Sequence, residues 1–131
     1  MNAQKFSILG ATCKWTGRAL SLLLLAYWGA CFVAHTQEWF LRYDGRYPPL
    51  LVWRQQTFQF LMILGLAIML GWDRLGTALL AVSTIGFFAL IPGWRWHGRG
   101  WFVPVVNLVP VTFFAIYWWT RAAMSPQEGV A

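Results

Sequence analysis

Cys31, His35 and Glu38 are spaced by four and then three residues. On an α-helix that spacing puts a thiol, an imidazole and a carboxylate on one face, and Tyr27 extends the stripe by another turn. Thiolate, imidazole and carboxylate are competent ligands for zinc or copper. His35 with His97 would offer two imidazoles to a haem. His35 beside Glu38 is a pair that could handle protons or contact a quinone, because burial shifts both groups. A catalytic metal wants three firm protein ligands, and Cys31 lies deep in an apolar run, so no residue is assigned to a metal. The plainer reading is a polar hem. The stretch AHTQEWF (34–40) closes the run ALSLLLLAYWGACFV, and its polar groups would then hydrogen-bond at a membrane surface and anchor a helix end.

Other polar side chains belong to the same side. Gln56 and Gln59 enter the second apolar run from that side, and Asn107 lies in the corresponding half of the last run. His35, Glu38, Gln56, Gln59 and Asn107 are therefore the candidate lining of a polar pocket in one half of a membrane. The other half holds little beyond Ser21, Thr112 and Tyr117. No cofactor follows from these residues, and no catalytic residue is assigned. The chain has no P-loop, G-x-S-x-G, H-E-x-x-H or paired C-x-x-C motif. Its single H-x-x-E is not duplicated as a di-iron bundle requires.

The elements that must position these residues follow from composition. Of 131 residues, 59% are apolar and 11% charged, against roughly 25% charged in globular proteins. A soluble domain this small needs a larger polar coat, so lipid is the expected solvent. The net charge of +6 does not signal nucleic acid, because the Lys and Arg residues fall singly or in small groups between apolar runs and do not gather on one face. Cys13 and Cys31 stand 18 residues apart, about 27 Å on a helix, and cannot form a disulfide.

Charges leave four gaps: Ala19–Gln37 (19 residues), Gln55–Trp72 (18), Leu75–Trp94 (20) and Gly100–Thr120 (21). About 20 mainly apolar residues cross the hydrocarbon of a bilayer as a helix, so the expected fold is all-α, a polytopic transmembrane four-helix bundle with antiparallel neighbours. Nine of the ten tryptophans fall near predicted boundaries and only Trp28 sits mid-span, as two interfacial aromatic belts require. Residues 1–18 read as an N-terminal tail and 121–131 as a C-terminal one. The first span lacks a small-x-small cleavage site and is expected to be retained. Asp73-Arg74 make a tight hairpin turn between spans two and three, and 38–54 is the longest loop. Pro104 and Pro110 predict a kink in span four, with the Asn107 amide serving freed backbone groups.

Ala26, Gly29, Ala30 and Ala34 form a small-residue stripe on span one, and Ala67 and Gly71 another on span two. Such stripes pack helices by close backbone approach, within the chain or against a second copy. Lys and Arg split five against five between the two faces. The three positive charges before span one tilt the termini to the cytoplasmic side of a bacterial inner membrane.

The segment FLMILGLAIMLGWDRLGTALLAV, with its W-x-x-x-G turn from Trp72 to Gly76, resembles the middle hairpin of a family of small four-span bacterial membrane proteins. WFVPVVNLVPVTFFAIYWWTR is similar to their last span in its proline-bearing start and Trp-rich end. The resemblance implies a four-helix membrane fold and carries no catalytic residue. The expected function is a non-enzymatic accessory or scaffold protein of the membrane, with the lipid bilayer and other membrane subunits or a second copy as partners and no nucleic acid. The alternative is a binding or redox component that holds a quinone, lipid or metal in the polar pocket.

Overall fold

The computed structural model describes residues 3–42, 48–91 and 99–124. It is all-α: α1 (Ala3–Thr36), α2 (Leu50–Met69), α3 (Asp73–Ala89) and α4 (Phe102–Met124), with a π-helical turn (Gln37–Leu41) after α1 and a 3-10 turn (Arg99–Trp101) before α4. Arg121–Met124, expected to begin the C-terminal tail, are the last turn of α4, while His97, the expected end of span three at Trp94 and residues 125–131 of that tail lie outside the described residues.

Residues 3–18, expected to belong to the N-terminal tail, are instead the first half of α1, a helix of 34 residues. No proline interrupts it, and it packs antiparallel on the last turns of α4. Gly10 lies against Thr120, Gly17 against Phe114, and Phe6 meets Trp119 edge-on with centroids 6.0 Å apart. α2 begins directly after Pro49, five residues ahead of its expected start at Gln55. A proline ends extended chain and removes no bond from the helix that follows it.

α2 and α3 form the expected antiparallel hairpin. Gly71 and Trp72 close it by donating to Ile68 O at 3.0 and 2.7 Å. The small residues that join them are not the expected ones. A Cβ on Gly65 would lie 2.7 Å from Leu80 N, and one on Gly76 would collide with the Met69 backbone, so the two helices touch main chain to main chain. Ala26, Ala30, Ala34, Ala67 and Gly71 are exposed instead, and a Cβ on Gly29 would meet nothing within 4 Å. These residues hold no seam within the chain, because the helices turn their larger apolar and polar side chains inward.

α4 runs as one helix through Pro110. Pro104 occupies its first turn, where no intrahelical bond is lost. Met62, Leu66, Met69, Leu80, Phe88 and Phe114 form the centre of the core, and Ser21, Gln59, Thr84, Asn107 and Thr120 are buried among them. Leu22, Leu23, Val33, Phe60, Val82 and Ile85 face outward. Two helical segments, Gln4–Leu41 and Phe102–Met124, are long and apolar enough to cross a membrane. By the same measure α3, with 17 residues, is short, and α2 carries Arg54 and three glutamines.

Candidate functional site

His35 is the outermost member of a polar string that runs inward through the bundle. In the tautomer protonated on Nδ1, its ring donates to Gln59 Oε1 at 3.0 Å, which leaves Nε2 with its lone pair. The ring also stacks on Trp39, 4.5 Å between centroids and 6° from parallel. One turn along α2 from Gln59, the Met62 sulfur accepts from Asn107 Nδ2 at 3.7 Å, and Asn107 Oδ1 accepts from Trp28 Nε1 at 2.6 Å. Trp28 in turn lies edge-on to Phe87 and Phe88, with centroids at 5.8 and 6.3 Å. Beside the string, Gln56 Nε2 donates to Thr36 Oγ1 at 2.7 Å.

The structure thus joins His35 and Gln59 directly, sets Gln56 beside them, and places Asn107 one turn deeper. It does not bring Glu38 in. Glu38 is exposed, because the chain has by then entered the π-helical turn. That turn is closed by Arg42 N–H on Gln37 O, five residues back, at 3.0 Å, so a three-residue step from His35 no longer returns to the same face. The His35–Glu38 pair needed for proton handling is not formed. Asn107 does not serve the backbone freed by Pro110 either, since both ends of its amide are used between helices. Among the described residues no group of three His, Cys, Asp or Glu is gathered closely enough to hold a metal ion. His97, the second imidazole of the haem reading, lies outside the described residues.

Two polar atoms of this region remain open among the described residues. Gln59 Nε2, on a side chain with no exposed surface, and Gln56 Oε1 have no hydrogen-bond partner. They stand three positions apart on α2, on one helix face. A crevice of about 270 Å³ between α1 and α4 reaches the deep end of the string and is lined by Leu24, Tyr27, Trp28, Val103, Val106 and Asn107.

Several polar participants were not anticipated from sequence. Gln55 Nε2 caps the end of α3 by donating to Leu90 O at 3.0 Å, one of the carbonyls a helix terminus leaves open. Ser21 Oγ donates to Met69 Sδ at 3.0 Å. Trp28 carried a usable signal, as the single tryptophan away from both belts, since a buried indole N–H needs an acceptor. What the arrangement does chemically is tie helices together with hydrogen bonds, without an Asp, Glu, Lys or Arg inside the string. Compared with known proteins, the chain matches no family model, no curated protein and no solved structure.

Proposed function

We propose that the chain is a four-span integral protein of a bacterial membrane that acts as a non-enzymatic accessory or scaffold component. The observation that carries this reading is the inverted polarity of the bundle. Gln59, Asn107, Ser21 and Thr84 are buried while Leu22, Leu23, Val33, Phe60, Val82 and Ile85 are turned outward. In the most apolar stretches of the two long helices only 11% and 22% of the residues are buried, unlike the core helices of soluble proteins. In water each such side chain left outside forgoes about 1.5–3 kcal/mol of burial. In lipid it forgoes nothing, and interhelical hydrogen bonds and close packing hold the helices. Arg18 and Glu38, the charges that bracket the apolar part of α1, are 20 positions apart, about 30 Å of helix, which matches the hydrocarbon thickness. The accessory role rests on the polar string, in which His35 pairs with Gln59, Gln56 with Thr36, and Asn107 with Trp28 and Met62 across helices.

A second reading is favoured by one observation, the unpartnered Gln59 Nε2 and Gln56 Oε1. A quinone or lipid carbonyl could engage the donor. Purification in mild detergent with an absorption spectrum and mass spectrometry of co-purifying material tests both. A colourless protein arriving with other membrane subunits supports the accessory role. A stoichiometric chromophore or quinone that is lost in His35→Ala overturns it in favour of the second reading.

A further inference from the structure

Tyr27 stands where a hydroxyl is costly. It is nine positions from Arg18 and eleven from Glu38, which puts it about 13 Å along α1 from the nearer charge. There it is 60% exposed. Its polar neighbour is the Cys31 thiol one turn along the helix, a weak partner for a phenol. Polar side chains at that depth in a membrane are rare and mark functional sites. The Tyr27 ring lies edge-on to Trp28 with centroids 5.4 Å apart, and both rings wall the crevice of about 270 Å³ between α1 and α4. Asn107 lines the same crevice, eight positions from Arg99 and so about 12 Å along the chain from the nearer charge. Its amide nitrogen donates to the Met62 sulfur and carries a second N–H, for which no partner stands among the described residues.

The crevice thus offers two donors and no charge between aromatic and aliphatic walls, to which Phe102 and Val106 belong. Its occupant is a neutral acceptor on an apolar body. An apolar cavity of about 150 Å³ already holds benzene, so there is room here for one ring. Aromatic side chains receive such a ring in offset or edge-on contact. Phospholipid esters are acceptors too, but they lie in the interfacial layer outside the ~30 Å of hydrocarbon, too shallow for Tyr27 and Asn107. A quinone dissolves whole in the hydrocarbon and carries its acceptors on a flat ring. We propose that the crevice binds the ring of a hydrocarbon-tailed quinone, with the Tyr27 hydroxyl and the Asn107 amide donating to its carbonyl oxygens. This rests on the membrane reading, and it gives the quinone of the second reading above a site at the other end of the polar string from Gln56 and Gln59.

The test uses the full chain in maltoside micelles, titrated with a decyl-tailed benzoquinone or with decylbenzene, and counts the ligand retained per chain by native mass spectrometry. The benzoquinone is expected to bind one per chain and roughly tenfold tighter than decylbenzene, which lacks the acceptors. Tyr27→Phe removes only the hydroxyl of an exposed ring and is expected to weaken the quinone roughly fivefold while leaving decylbenzene unchanged. Val106→Phe fills the crevice and is expected to abolish retention. Circular dichroism checks that both variants stay folded. His35→Ala is expected to bind as the wild type does. Absent retention of the quinone, or equal retention of the two probes, overturns the proposal, and equality assigns the crevice to a hydrocarbon chain. Unchanged quinone binding in both Tyr27→Phe and Val106→Phe overturns it as well. Binding that is lost in His35→Ala but kept in Val106→Phe places the quinone at Gln56 and Gln59 and removes this site alone. A chain that stays dispersed without detergent would sink the membrane reading itself.

Discussion

The indole N–H of Trp28 meets Asn107 Oδ1 at 2.6 Å in surroundings where no bulk water competes for either group. Trp28→Phe keeps an aromatic ring against Phe87 and Phe88 and removes the donor together with part of the indole's volume. It is expected to cost about 1 kcal/mol, within the range found for hydrogen bonds between membrane helices. Pairing it with Asn107→Leu is expected to cost less than the two single changes together, because removing both partners leaves neither unsatisfied. Reversible unfolding in mixed micelles measures the cycle, and strict additivity would show that the bond contributes nothing. His35→Ala strands Gln59 Oε1 beside the already open Nε2, an expected loss of about 1–3 kcal/mol. His35→Leu with Gln59→Leu is expected to recover most of it, as read by the same unfolding. The residue types that compose the string, His35, Gln56, Gln59 and Asn107, were legible as polar exceptions in apolar runs. Their partners were not. Trp28, Thr36 and Met62 come from other helices or other turns, and the loss of Glu38 depends on a π-helical turn that helical periodicity does not foresee.

At the scale of elements the α2–α3 hairpin shows how small residues acquire meaning. Gly65 and Gly76 each stand five residues from the Leu70–Gly71 turn, so an antiparallel hairpin brings them together. That register was available from the turn position, but a search along one helix at four-residue spacing finds Ala26, Ala30 and Ala34 instead. Gly65→Val is expected to push Leu80 and its helix away, at about 1–3 kcal/mol of overpacking. Gly29→Val, where a Cβ meets nothing within 4 Å, is expected to change stability by less than about 0.5 kcal/mol. Thermal unfolding of the two variants side by side decides this, and equal losses would mean that the backbone contact is not the seam. The extension of α1 back to Ala3 was hidden for a related reason. Lys5, Lys14 and Arg18 interrupt the apolar pattern, and the helix is held there by packing on α4 through Gly10 and Gly17.

For the whole molecule the governing feature is the outward-facing apolar belt. On the membrane reading, single cysteines introduced at Arg74 and Met124 in a background lacking Cys13 and Cys31 are expected to react with an impermeant maleimide from one side of sealed vesicles. Cysteines at Arg42 and Arg54 are expected to react from the other side. Labelling of Arg74 and Arg42 positions from the same side would remove two of the four crossings, and extraction of the chain by alkaline carbonate would remove all of them. The overall count of charges does not choose which side is which, because Lys and Arg divide evenly between the ends, and the expectation of cytoplasmic termini rests on Lys5, Lys14 and Arg18 alone.

The all-α class, the presence of long apolar helices and a hairpin between the second and third of them are determined by the sequence alone, because hydrophobic runs are local properties. The turn itself falls at Leu70–Trp72, and Asp73-Arg74, expected to form it, open α3. Partnership is not local. Which glycine meets which backbone, which amide receives the Trp28 N–H, and that Arg74 and Arg121 line one cavity are all set by helix rotation and register. Those are fixed only when four helices settle against one another, and the tertiary structure alone decided them.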